Sequence, residues 1–236
     1  MIYINHNKKA IFIHIPKTGG SYIGPSLVKY YGFTNYLPLL QKRRPDHNII
    51  CQTMRFKRVI TNNPLYDNSF FNKTIGLLTY CKTSAYLNKQ MNMDDNKWNT
   101  YTKFCFIRNP YSRALSGWKH VNTILKLNTG FNQYLNQPKY NVADIEYGHI
   151  FMSQTAQIQD INGECGVDII GKFETLEEDF RIILIKIGFN EIIHKQIKVN
   201  VSNKDNNENI VFEKQTVIKI NELFNEDFNN FHYIKF

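Results

Sequence analysis

One segment near the start of the chain constrains its fold more than any other, because an apolar run ends abruptly at a glycine-containing turn. Residues 10–15 (Ala-Ile-Phe-Ile-His-Ile) are apolar and rich in β-branched side chains, which predicts a short buried strand that stops at Pro16. Residues 21–31 then carry apolar side chains at helical spacing, and Gly32 is a suitable stop. The segment therefore predicts a strand, a loop and a helix in direct succession.

Two later segments repeat this arrangement. Residues 103–107 predict a second strand, followed by a helix that begins at Pro110, where the missing N–H costs nothing, and runs to about residue 127. Residues 167–171 predict a third strand. The next helix is predicted to begin at Thr175, because the sequence Thr-Leu-Glu-Glu fits the capping-box pattern.

These segments together indicate the fold class. A last helix is predicted over residues 213–224. Strands that alternate with helices favour an α/β protein with a central, mostly parallel sheet flanked by helices. Neither a repeat nor a linker divides the chain, so we expect a single domain over residues 1–236.

The chain is strongly basic. Its 29 Lys and Arg residues exceed its 20 Asp and Glu residues, which gives a formal net charge of +9. Such a balance favours anionic partners: nucleic acid, a phosphorylated cofactor, a polyanionic glycan or a membrane surface. No stretch approaches the roughly 20 apolar residues of a membrane span, and the first residues lack a signal-peptide pattern. We therefore expect a soluble, cytoplasmic protein.

The cysteines do not form a pattern typical of metal binding. None belongs to a Cys-x-x-Cys pair, and no histidine cluster lies beside them. We therefore expect no metal site and no disulfide framework, but buried thiols in a reducing compartment. Cys105, inside an apolar run, is predicted to lie in the core. The four cysteines are Cys51, Cys81, Cys105 and Cys165.

The loop after the first predicted strand has the composition of an anion cradle. Two glycines let backbone N–H groups approach a phosphate closely, and the start of the helix adds a partial positive charge. A lysine supplies a full charge, and two hydroxyls can donate hydrogen bonds. The residues are Lys17, Thr18, Gly19, Gly20 and Ser21. The loop is not a Walker A motif, because its lysine precedes the glycines. An ordinary Gly-Gly turn with a solvated lysine is the alternative.

A second anion site is predicted after the strand at residues 103–107. Arg108 ends that strand, at the edge where α/β sheets bind ligands. Arg113 and Ser116 follow on one face of the next helix. Guanidinium groups match phosphate oxygens well, and a serine hydroxyl adds a further donor. The alternative is a pair of surface arginines near a helix N-terminus.

In this order the two motifs resemble the sulfotransferases that use 3′-phosphoadenosine-5′-phosphosulfate (PAPS), and above all the carbohydrate-type group with the signature I-P-K-T-G-G-[ST]. Residues 169–180 are similar to that group's I-G-[RK]-F-E-x-L-x-x-D-F segment. The group's acidic and aromatic ending is similar to Asp227-Phe228 and Phe231-His232-Tyr233 in this chain. The resemblance implies a three-layer, P-loop-like fold.

The resemblance also implies a reaction. A sulfuryl group would pass from PAPS to an acceptor hydroxyl by in-line displacement, with the loop at residues 17–21 on the 5′-phosphosulfate. Arg108 and Ser116 would hold the 3′-phosphate, and Arg113 would either support that site or bind the loop. Lys17 would stabilise the charge on the leaving oxygen. Family likeness favours a carbohydrate acceptor, with tyrosine or a small phenol as alternatives, and implies neither a metal nor nucleic acid as a partner.

The general base is left open by the sequence. A base is usually His or Glu. Related proteins carry Lys-His-x-[ST]-Ala ahead of the central strand, but residues 81–85 place Lys82 where His is expected. A lysine acts as a base only if its pKa is strongly lowered. His47 and His120 are the alternatives, whereas His14 fits a strand residue satisfied in the core. Glu174 is expected to hold a loop or a donor-binding cation.

Two other classes of function compete with this one. A nucleotide kinase or other NTPase shares the strand–loop–helix phosphate site, but the Walker A loop is missing and no acidic residue suited to Mg²⁺ follows a strand. A non-catalytic binder of nucleic acid or sulfated glycan is compatible with the net charge, and Lys82 in place of the expected histidine favours it slightly.

Overall fold

The structure of the chain is a computed structural model. It describes residues 2–36, 81–82, 91–125, 129–136, 152–160, 162–192 and 212–236. Of the residues singled out above, His47 and Cys51 lie outside these ranges.

The described residues contain a five-stranded sheet in the order β3-β1-β2-β4-β5. The strands are β1 Ile2–Asn5, β2 Ala10–Ile13, β3 Thr34–Tyr36, β4 Thr102–Ile107 and β5 Ile169–Lys172. β2, β4 and β5 pair in parallel, whereas β1 runs antiparallel to both of its neighbours, β2 and β3. Every strand except β1 therefore points the same way, which confirms the mostly parallel sheet.

Helices follow the strands as the sequence predicts. They are α1 Gly20–Tyr30, α2 Asp95–Thr100, α3 Pro110–Leu125, α4 Phe131–Asn136, α5 Gln154–Ile158, α6 Leu176–Lys186, α7 Lys214–Leu223 and α8 Asn225–Phe231. A 3₁₀ turn over Phe173–Thr175 joins β5 to α6. Among the described residues, no helix has the length and apolar character needed to cross a membrane.

Both faces of the sheet are covered, because successive side chains of a buried strand point to opposite sides. On one face, side chains of β1, β2 and β4 pack with Trp98 of α2 and Phe231 of α8. On the other face, Phe12, Phe104 and Phe106 pack against α1 and α6. A separate cluster joins α3, α4, α7 and α8. This arrangement confirms the three-layer α/β fold.

The predicted capping box at Thr175 is wrong. The Thr175 side chain makes no capping bond to a backbone N–H of α6, and its hydroxyl instead donates to the side chain of Asp179, with 2.9 Å to Oδ2. The same carboxylate accepts the N–H of Lys172 at 2.6 Å. The chain enters α6 through a 3₁₀ turn, and the carboxylate of Asp179, one turn inside the helix, binds the residues that precede the helix. The two reciprocal bonds of a capping box therefore do not form.

The cysteines follow the prediction only in part. Cys81 and Cys105 are buried, and Cys105 lies in the core as predicted. Burial raises the pKa of Cys81 to about 11, so its thiol stays protonated at neutral pH. Cys165 is exposed, which contradicts the expectation of a buried thiol there.

The sheet places the two predicted phosphate motifs side by side. β2 and β4 are adjacent inner strands, with Ala10 paired to Thr102 and Phe12 paired to Phe104. Because they run in parallel, the loops that follow them leave the sheet at the same edge, where α/β proteins bind ligands.

Candidate functional site

The loop between β2 and α1 has an unusual backbone. Lys17 has φ of 70° and Gly19 has φ of 94°, both in the left-handed region. The Gly19 carbonyl accepts the N–H groups of Tyr22 and Ile23, at 2.9 and 3.1 Å, and so begins α1. A left-handed backbone of this kind turns main-chain N–H groups toward a common point in front of the helix, which is a geometry that holds anions.

The loop also leaves no room for a side chain at Gly20. A Cβ atom built there would lie 1.7 Å from Nε2 of His14. At Gly19 it would lie 3.2 Å from side-chain atoms of Phe173 and Leu176. His14 lies one residue beyond the end of β2 and is half-buried, with its ring stacked near Phe12 at 6.0 Å between centroids. The prediction of a core strand residue is therefore wrong for His14. Side chains of His14, Phe173 and Leu176 therefore pack directly against the backbone of the loop.

The polar side chains of the loop differ in their burial and in their hydrogen-bond partners. Thr18 is fully buried, and its Oγ1 donates to the carbonyl of Ile15 at 2.9 Å, so this hydroxyl holds the loop. Ser21 is exposed in the first turn of α1. Lys17 is half-buried, and burial, followed by the positive charge of Arg108, lowers the pKa of its ammonium.

Arg108 joins the two loops. Its Nη1 donates to the main-chain carbonyl of Lys17 at 3.4 Å, and its Nε donates to Ser112 Oγ at 3.0 Å. The guanidinium lies 4.0 Å from the centre of the Phe173 ring, a cation–π distance. Burial lowers the pKa of Arg108, and the charge of Glu174 opposes that shift. The structure thus places Arg108 in direct contact with the loop that carries Lys17.

Arg113 lies beneath the same loop. It is 1% exposed, its Nε donates to the carbonyl of Pro16 at 3.1 Å, and its Nη1 donates to that of Met152 at 2.9 Å. Its Nη2 is buried without a partner among the described residues. Burial lowers the pKa of Arg113 to about 10, which leaves it charged at neutral pH. Of the two roles predicted for Arg113, these contacts favour binding of the loop. Ser116 lies half-buried on the same helix, α3.

The candidate bases differ in their surroundings. The side chain of His120, on α3, is exposed in part. Burial of the rest of it, followed by the charge of Lys17, lowers the pKa of the ring. Lys82 forms an ion pair with Asp95, with 3.4 Å between Nζ and Oδ1. The charge of Lys17 thus acts on His120, whereas His47 lies outside the described residues.

Glu174 holds the loop that follows β4. Its Oε1 accepts the N–H of Asn109 at 2.7 Å, and its Oε2 accepts the hydroxyl hydrogen of Tyr233 at 2.9 Å. These contacts match the expectation that Glu174 holds a loop. They also connect the strand end that carries Arg108 to the C-terminal residues.

Two buried polar residues near Arg108 are missing from the sequence-based set of site residues. Gln154 and Asp227 are both 0% exposed, and Gln154 bonds directly to the backbone of Arg108. Asp227 belongs to the acidic ending noted in the sequence, which was a usable signal. Gln154 lies in no motif, and its long-range contact leaves no local pattern.

The site as a whole is suited to an anion. Lys17 lies in the loop, and Arg108 and Arg113 each donate a hydrogen bond to one of its main-chain carbonyls, so three cations meet there. In the described ranges, no group of three or more His, Cys, Asp or Glu side chains is placed to hold a metal ion.

Comparison with known proteins gives one match. A family model described as the sulfotransferase family matches residues 1–234. No curated protein and no solved structure matches the chain.

Proposed function

The chain belongs to the sulfotransferase family, and from that premise we propose that it transfers a sulfuryl group from PAPS to an acceptor hydroxyl by in-line displacement. The contact between Arg108 and the Lys17 carbonyl is the observation that carries this proposal. It brings the two phosphate motifs within the span of a single nucleotide that bears phosphates at both ends.

The loop fits the 5′-phosphosulfate end of PAPS. Gly19 supplies the left-handed backbone, and Gly20 offers a bare main chain where a Cβ would not fit. Lys17 adds the positive charge, Ser21 a hydroxyl, and Thr18 its backbone N–H, since its own hydroxyl is engaged with Ile15. Such a cradle holds an anion through many weak donors at the start of a helix.

The 3′-phosphate is assigned to Arg108 and Ser116. Arg108 donates hydrogen bonds from Nη1 to the Lys17 carbonyl and from Nε to Ser112, so the guanidinium is fixed before a ligand binds. A preformed guanidinium loses less entropy when it binds a phosphate. Arg113 supports the site from below, through the carbonyl of Pro16.

Lys17 is the residue that favours the transition state. Negative charge grows on the oxygen that leaves with the nucleotide, and a fixed cation beside that oxygen lowers the barrier. Half-burial of Lys17 strengthens this interaction because less water screens it. The lowered pKa reflects the same desolvation and the repulsion of Arg108.

His120 is the base that we propose for the acceptor hydroxyl. A lowered pKa keeps its imidazole neutral at pH 7, which is the form that accepts a proton. The influence of Lys17 on that pKa indicates that the ring shares the electrostatic environment of the loop. His47 remains the alternative. We propose a carbohydrate hydroxyl as the acceptor, because family likeness favours it and the net charge of +9 suits an anionic glycan.

The test has two arms. First, 3′-phosphoadenosine-5′-phosphate should raise the melting temperature well above the shift given by ATP or AMP, since binding to the native state stabilises it. Second, radiolabelled PAPS should pass its sulfuryl group to a member of an acceptor panel of glycans, tyrosine peptides and phenols. A larger shift with ATP would favour a nucleotide kinase. Binding of the 3′-phosphorylated nucleotide with no transfer to any acceptor would favour a non-catalytic binder.

A further inference from the structure

A buried amide side chain holds the backbone of Arg108. Gln154, the first residue of α5, is 0% exposed. Its Oε1 accepts the N–H of Arg108 at 2.8 Å, and its Nε2 donates to the carbonyl of Arg108 at 2.8 Å. Both main-chain groups of Arg108 are therefore bound by one side chain, just beyond the point where β4 ends. The amide thus bonds to both the N–H and the carbonyl of Arg108, as a neighbouring strand would within a sheet.

A buried carboxylate fixes the orientation of that amide. Asp227, on α8, is 0% exposed, and its Oδ2 accepts from Gln154 Nε2 at 3.2 Å and from Gln154 N at 2.8 Å. Its Oδ1 accepts the N–H of Thr155 at 2.8 Å. An ionised carboxylate can only accept, so it selects the orientation in which Gln154 Nε2 faces both Asp227 and the Arg108 carbonyl. The charge of Asp227 also acts on the buried cation Arg113.

We propose that Gln154 and Asp227 are positioning residues that hold Arg108 in place to read the 3′-phosphate of the donor nucleotide. The inference rests on the proposed function, because it concerns how the same site distinguishes its donor from nucleotides that lack the 3′-phosphate. A buried amide and a buried carboxylate are costly unless their polar atoms are bonded. Here the amide of Gln154 bonds to the backbone of Arg108, and the carboxylate of Asp227 bonds to that amide and to the first N–H groups of α5. Small displacements of a guanidinium lose most of the benefit of a fixed donor geometry.

A purely structural role for these residues predicts something different. Loss of stability would lower the affinity for every nucleotide alike, because it acts on the folded fraction. Misplacement of Arg108 would lower the affinity only for nucleotides that carry the 3′-phosphate. The measured quantity is therefore the ratio of the affinities for 3′-phosphoadenosine-5′-phosphate and 5′-AMP.

The experiment compares three variants of the full chain by calorimetry. Gln154→Ala should lower the affinity for 3′-phosphoadenosine-5′-phosphate about tenfold and leave that for 5′-AMP unchanged. Asp227→Asn, which keeps the shape, should give a smaller loss in the same direction, and it is the second probe if Gln154→Ala folds poorly by circular dichroism. Gln157→Ala is the matched control: Gln157 is a buried glutamine on the same helix that bonds to the carbonyls of Met152 and Ser153. Its ratio should equal that of the parent.

A coupling measurement completes the test. In an Arg108→Ala background, Gln154→Ala should cause no further loss of affinity for the 3′-phosphorylated nucleotide, since the group it positions is gone. If the parent prefers that nucleotide and Gln154→Ala and Asp227→Asn both keep the full preference, the inference is overturned and the proposed function stands. If the parent shows no preference over 5′-AMP, the proposed function is overturned, and the inference with it.

Discussion

The guanidinium of Arg108 donates a hydrogen bond to the main-chain carbonyl of Lys17, with 3.4 Å between Nη1 and that oxygen. The contact joins the loop after β2 to the loop after β4, across a separation of 91 residues in the chain. It also brings two cations together, and the charge of Arg108 adds to the effect of burial on the pKa of Lys17. An anion between them relieves this repulsion, so ligand binding stabilises the contact that shapes the site.

Lys17 is expected to act on catalysis more than on binding. Its ammonium interacts most strongly with the oxygen that gains charge during transfer, so Lys17→Ala should lower the single-turnover rate on the order of 10²–10³-fold, with a smaller loss of donor affinity. Lys17→Arg should also be slow, because the wider guanidinium does not fit the turn before Gly19. Lys29→Ala, which removes an exposed lysine of α1, is the matched control. A rate for Lys17→Ala within about threefold of the parent would contradict the assignment.

Arg108 is expected to act on binding. Arg108→Ala removes charge-assisted hydrogen bonds worth about 1.5–3 kcal/mol, so the affinity for 3′-phosphoadenosine-5′-phosphate should fall roughly 10- to 150-fold. Ser116→Ala should cost less, because a neutral hydroxyl donates a weaker bond. Calorimetry on folded protein measures both losses. An unchanged affinity in Arg108→Ala would show that Arg108 does not bind the 3′-phosphate.

A methyl group at Gly20 is expected to destabilise the fold. A Cβ there would lie 1.7 Å from His14 Nε2, so Gly20→Ala must displace the ring and should cost roughly 1–3 kcal/mol in the free energy of unfolding, measured with urea. His14→Ala should relieve most of that cost in the double variant, since the clash is with its ring. Gly130→Ala is the control, because a Cβ at Gly130 meets nothing within 4 Å. Equal stability of Gly20→Ala and the parent would show that the ring can move freely.

The sequence predicted the parts of the fold that are encoded locally. β2 and the last four residues of β4 are apolar on both faces, so their patterns alone identify buried strands. β1 and β3 were missed, because Ile2–Asn5 and Thr34–Tyr36 are short and become strands only by pairing with each other and with β2. The capping box failed for a related reason: the pattern at Thr175 is local, whereas Asp179 decides how the helix begins.

The residues of the candidate site also fall into two groups, those that the sequence indicates and those that only the structure shows. The glycine-containing loop and the arginine motif carry their chemistry in consecutive residues, so the sequence shows them. The residues that hold Arg108 do not, because Gln154 and Asp227 are 73 residues apart and meet only through the packing of α5 against α8. A buried amide that bonds to a backbone has no characteristic spacing, and only the structure shows the contact.

The last prediction concerns the pH dependence of transfer. As a base, His120 works in its neutral form, and burial together with the charge of Lys17 lowers its pKa below the ordinary value of 6.5. The transfer rate should therefore rise with pH through a pKa below 6.5 and stay level through neutral pH. His120→Gln should lose about 10²–10⁴-fold in rate and lose this acid limb, while donor affinity stays near that of the parent.

The pKa of His120 should also depend on the charge of Lys17. Lys17→Ala removes a positive charge that disfavours the imidazolium, so the pKa of His120 should rise in that variant, as followed by NMR of the ring protons. Lys29→Ala should leave that pKa unchanged. If the His120 pKa is the same in Lys17→Ala and in the parent, the ring lies outside the field of the loop. The base must then be sought at His47, and an acid limb that persists in His120→Gln would point to the same conclusion.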